Sequence, residues 1–69
     1  MKFENALAVE KQASWTLYLM ENKDPRGFIF WKHYHDSKIC PLPVITHRSA
    51  TKTDAQDLWF SLTREKVVL

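Results

Sequence analysis

A single cysteine, Cys40, leaves no partner for an intrachain disulfide framework. Small secreted domains usually depend on such staples, so the expected setting is a reducing cytoplasm. Glycine also occurs once, as Gly27, which excludes a Gly-rich loop that cradles phosphate. Long apolar runs are missing as well. "ALAV" at 6–9 is far too short for a membrane span or the core of a signal peptide, so no membrane contact is expected. Neither sign of charge dominates: ten basic residues face eight acidic ones, a net charge of +2. That imbalance is milder than the excess carried by a dedicated nucleic-acid binder.

Apolar and aromatic material is plentiful. Hydrophobic residues make up 45% of the chain and aromatics 13%, with three tryptophans, which is too much for a disordered segment. With 69 residues the chain forms one domain. A domain of this size buries only ~60% of the surface its unfolded chain exposes. A few large rings, which bury the most area per residue, are therefore expected to form the core.

Period and punctuation divide the chain. Residues 1–13 place Phe3, Leu7 and Glu10 near one helical face, over too short a stretch to hold a helix in water. They are expected to form a flexible or loosely docked arm outside a folded domain spanning 14–69. "SWTLYLM" then alternates, with Trp15, Leu17 and Leu19 on one face and Thr16, Tyr18 and Met20 on the other, the pattern of a strand. "ENKDPRG" is a run of turn formers, in which Pro25 presets φ and Gly27 supplies a positive φ. It predicts a hairpin with a somewhat long loop into a second strand, "FIFWKHYH", residues 28–35. Pro41 and Pro43 cannot donate to a ladder and mark a connection. "VITHRSA", 44–50, reads as a third strand.

The last element is a helix. Ala55, Leu58, Trp59 and Leu62 form one apolar stripe at i, i+3, i+4 and i+7. Thr53 with Gln56 makes a candidate capping box, and Asp54, Asp57, Arg64 and Lys66 complement the helix dipole. "VVL" at 67–69 is expected to add an edge strand or to pack under the sheet. The predicted fold is α+β: a small two-layer domain, an antiparallel sheet of about three strands packed against one C-terminal amphipathic helix. Trp15, "GFIFW" at 27–31 and "AQDLWFSL" at 55–62 carry a resemblance. The chain resembles a family of short uncharacterised proteins of marine cyanobacteria and, as an expectation, of their phages, which share a helix of the form A-x-x-L-W-x-x-L. The resemblance implies a host lineage and carries no activity or site residue with it.

The residues offer material for four kinds of site. His33 and His35 share a strand face, and with Cys40 and His47 they supply ligand types that suit tetrahedral zinc. Their spacing matches no zinc knuckle, so neither a metal nor any other cofactor is expected. One face of the second strand must enter the core. If Ile29 and Trp31 do so, then Phe28, Phe30, Lys32 and Tyr34 form an outer platform for stacking unpaired bases. Lys23, Arg26, Lys38, Arg48 and Lys52 would extend that patch toward a single-stranded nucleic acid. If Phe28 and Phe30 enter the core instead, the face of Trp31, His33 and His35 stays outside. Together with Phe60, on the off-core side of the helix, these residues have the composition of a protein interface.

Catalysis is not expected. The chain has no serine elbow, its only local acid–base group is "HYHD", and a domain this small is hard to hollow into a substrate pocket. The functional expectation is a small non-enzymatic protein-interaction domain, either self-associating or an accessory subunit of a larger assembly. Single-stranded nucleic-acid binding is the alternative.

Overall fold

The computed structural model describes residues 3–36, 38 and 41–69. A 3-10 turn, Phe3–Asn5, precedes strands β1 (Ala8–Lys11), β2 (Trp15–Lys23), β3 (Arg26–Tyr34) and β4 (Val44–Ser49), and helix α1 (Lys52–Thr63) follows. The strands form one antiparallel sheet in chain order, β1-β2-β3-β4. The α+β, two-layer expectation holds, with four strands in place of about three. The added strand comes from the segment read as an arm: Ala8 pairs with Leu19 and Lys11 with Thr16. Four residues are too few to show a period, yet the open edge of β2 satisfies their backbone groups. Among the described residues no helix is long and apolar enough to cross a membrane.

The β2–β3 hairpin is tighter than its composition suggests. Glu21, Asn22 and Lys23 stay in the ladder, Lys23 pairs with Arg26, and the turn is only Asp24 and Pro25, joined by a cis peptide bond. Asn22 closes it by donating its side-chain N–H to the carbonyl of Pro25 at 2.8 Å. Gly27 is not a turn residue. It is buried in β3, where a Cβ would stand 2.8 Å from the carbonyl oxygen of Ser49. The expected positive φ is present, +158°, and together with the close approach of β4 it calls for glycine there.

One face of the sheet carries the core. Cross-strand partners share a face, so Leu17, Leu19, Phe28 and Phe30 stand together. Ala55 and Trp59 of α1 close over them, and the Phe30 and Trp59 rings lie 6.3 Å apart. Leu58 and Leu62, the rest of the predicted stripe, pack at the margin with Trp15, Val67 and Leu69. Burying one such side chain contributes about 1.5–3 kcal/mol.

The helix starts two residues earlier than the capping box implies. Thr51 is the N-cap, with its hydroxyl accepting the Asp54 backbone N–H at 3.1 Å. Gln56 instead accepts the backbone N–H of Leu69 at 3.0 Å, which ties the C-terminal residues to α1. These residues form no strand; Val67 and Leu69 turn inward and Val68 outward. Arg64 lies beyond the last turn as a left-handed C-cap, φ 64° and ψ 13°.

Candidate protein-docking face

The second face of the sheet has no helix over it. Ladder pairs place Val9 beside Tyr18, Tyr18 beside Trp31 and Trp31 beside Ile45, so one apolar row crosses all four strands. Met20 and Ile29 form the next row on the same face. Val9 and Ile45 are 53% and 40% exposed, so the row is open at both of its ends. Phe3 lies on its middle, 4.4 Å from the Tyr18 ring and edge-on to Trp31 at 5.9 Å.

Ile45 reaches this face through a β-bulge. The β3–β4 register shifts between Phe30, opposite His47, and Trp31, opposite Ile45. Thr46 is the extra residue, and its hydroxyl donates to the Phe30 carbonyl at 3.4 Å. Unbroken pairing would set Thr46 against Trp31 and turn Ile45 toward the helix side.

Charge at the strand positions of this face has one sign. By strand alternation Lys11 lies at one corner and Arg48, opposite Ile29, at another, and both are exposed. No strand position on this face holds a carboxylate: Glu10 pairs with Leu17 and Glu21 with Phe28 on the other side. Trp31 also carries an unmet demand. Its Nε1 is buried and has no hydrogen-bond partner among the described residues. A buried donor left this way costs about 1–3 kcal/mol, so it calls for a physical account.

The expected interface residues separate into three situations. Trp31 stands in the centre of the apolar row. His33 and His35 follow Trp31 along the chain, beside the row, and act as fasteners. His33 donates its Nε2 proton to the carbonyl of Pro41 at 3.0 Å. His35 directs Nδ1 to the Ala13 carbonyl at 3.3 Å and Nε2 to the Thr16 hydroxyl at 2.6 Å. Because a carbonyl only accepts, Nδ1 carries a proton, and Nε2 of the neutral ring accepts from Thr16. Thr16 is 6% exposed, so this contact satisfies a buried hydroxyl. Phe60, 41% exposed, is on the outer side of α1, with the whole sheet between it and Trp31. The structure does not bring it into the same surface.

Two other candidate groupings do not form. The His33, His35, Cys40 and His47 set does not assemble. His47 opposes Phe30 on the helix side, with its ring 6.1 Å from the Phe30 ring, whereas His33 and His35 point to the open face. Cys40 lies outside the described residues, among which no group of three or more metal-binding side chains occurs. The Phe28, Phe30, Lys32, Tyr34 platform is not formed either. Phe28 and Phe30 are buried under α1, and Lys32 holds its Nζ over the rings of Trp15 at 4.5 Å and Tyr34 at 5.5 Å.

Sequence reasoning missed Val9, Ile45 and Phe3 as parts of the face. Alternation alone had put Tyr18 with Met20, and Ile29 with Trp31, on common sides. Comparison with protein-family models, characterised proteins and solved structures finds no match.

Proposed function

We propose that this protein is a small non-enzymatic interaction module, an accessory subunit that docks an extended apolar segment of a partner protein, flanked by carboxylates, on the helix-free sheet face. The observation that carries the reading is the Val9–Tyr18–Trp31–Ile45 row, open to solvent at its ends and cornered by Lys11 and Arg48. Aromatic anchors with a polar rim are the chemistry of protein interfaces. Both ring nitrogens of His35 and Nε2 of His33, beside the row, are committed to Ala13, Thr16 and Pro41, which favours binding over proton transfer.

Size and charge favour a segment over a second copy. Four strands spaced ~4.8 Å apart, over the length of the apolar rows, offer roughly 300–400 Å². A standard interface takes about 800 Å² per partner. A second copy would also set Lys11 and Arg48 against a face with no acid at its strand positions.

A second reading keeps one observation. Lys23, Arg26 and Lys52, with Glu21 among them, line a cavity of about 520 Å³ at the hairpin end, and Arg26 and Arg48 line a neighbouring one of about 220 Å³. A nucleic-acid backbone would meet those cations.

Selection of short random peptides displayed on phage, with counter-selection on Ile45→Asp, tests the docking reading. The expected winners place an aromatic or branched aliphatic residue among carboxylates and lose about tenfold or more in affinity for Ile45→Asp. Failure to recover any peptide that separates the two proteins would sink it. Tight binding of a single-stranded oligonucleotide that fades steeply with salt and is lost in Arg26→Gln would move the function to the second reading.

A further inference from the structure

We infer that the 3-10 turn Phe3–Asn5 is a strap that occupies, in the free protein, the place of a partner side chain, and that the partner brings a hydrogen-bond acceptor to Trp31 Nε1. The inference rests on the docking reading above and adds what the docked segment must carry.

Phe3 covers Tyr18 and the edge of Trp31, the two central members of the row. Its hold is slight. The turn is three residues long with none of them buried, and one backbone bond, Ala6 N–H to the Phe3 carbonyl at 3.0 Å, closes it. The sheet takes over only at Leu7, whose N–H donates to the Leu19 carbonyl at 2.7 Å. Segments with few buried contacts open at low cost while the rest of the domain stays folded. Short 3-10 turns also have poor hydrogen-bond geometry of their own.

The strap meets the apolar demand of the site and leaves its polar demand unmet. Phe3 supplies a ring, while Trp31 Nε1 stays buried without an acceptor among the described residues. A segment with a ring in Phe3's position and an oxygen beside the indole satisfies both. A carboxylate serves better than a neutral oxygen, since Lys11 and Arg48 already make the face cationic. The strap itself has this composition: Phe3 is followed by Glu4, which is exposed. The ligand class is therefore an acidic, aromatic peptide segment that displaces Phe3.

The test uses the full chain labelled with ¹⁵N, the capped peptide Ac-Asp-Phe-Glu-Asp-NH₂ as probe, and Trp31→Phe to identify the Trp31 indole resonance. In Phe3→Ala the Trp31 indole N–H is expected to exchange with solvent about tenfold faster than in the unmodified protein, with the sheet amides unchanged. The peptide is expected to bind Phe3→Ala about fivefold tighter or more, and to shift the indole of Trp31 but not those of Trp15 and Trp59. If Phe3→Ala does not fold, Phe3→Leu keeps apolar cover and should give the same ordering in smaller steps. Equal or weaker peptide binding in the folded variant overturns the strap and leaves the docking face standing. Binding to neither protein overturns both.

Discussion

Trp31 stands opposite Ile45 across the β3–β4 ladder, one residue out of step with the pairing of Phe30 and His47. That single shift puts a branched aliphatic side chain beside the indole and completes an apolar row over four strands. It parts Ile45 from His47, which simple alternation would put on one face, and His47 stays on the helix side, away from His33 and His35.

Trp31→Ala and Phe60→Ala should behave differently, although both are aromatic residues left outside the core. Trp31→Ala is expected to weaken binding of selected acidic peptides about tenfold or more. Phe60→Ala, on the outer side of α1, should leave that affinity within about twofold. Isothermal titration calorimetry on both variants checks this. Equal losses would put the binding surface somewhere that spans the helix.

His35→Ala should act on stability and not on binding. Its ring joins the Thr16 hydroxyl and the Ala13 carbonyl, and its backbone N–H donates to Ser14 at 3.0 Å. Loss of the side-chain bonds, one to a buried hydroxyl, is expected to cost about 1–2 kcal/mol in urea unfolding. Peptide affinity should stay unchanged. A binding loss with unchanged stability would make His35 a contact residue after all.

Trp59→Ala should cost about 3–5 kcal/mol, a large part of what a domain this small has to spare. Trp59 is 2% exposed and packs on Phe30, so no neighbour can take over its volume. Far-UV circular dichroism during thermal melting reads the outcome. A variant that melts within a few degrees of the parent would contradict the two-layer core.

Gly27→Ala tests the close approach of β4. The added methyl would meet the Ser49 carbonyl oxygen at 2.8 Å, a backbone atom that cannot swing aside. The expected cost is about 1–3 kcal/mol, with amide shifts concentrated at residues 26–29 and 48–50. An unperturbed spectrum would show that β4 lies farther from β3 than described.

Much of the layout was legible because period follows secondary structure directly. The alternation in "SWTLYLM" sorted Leu17 and Leu19 from Tyr18, and the helix stripe named Ala55 and Trp59 with its two marginal leucines. The β1 strand was not legible. Ala8–Lys11 has no pattern of its own and becomes a strand only because β2 offers an edge. The cap moved from Thr53 to Thr51 for a related reason: both threonines fit the local rule, and tertiary packing chooses where the helix starts.

By itself, then, the sequence determined β2, β3, β4 and α1 and the two faces of β2 and β3, since the pleat and the helical turn impose those periods on any chain. It also determined that the core would be aromatic. Only the tertiary structure decided which face of β3 the helix covers. Phe28 and Phe30 share a side with Leu17 and Leu19, and Ala55 and Trp59 of α1 close over all four. The bulge at Thr46 and the strap at Phe3 were also decided there. Both depend on contacts between residues far apart in the chain, which no local period records.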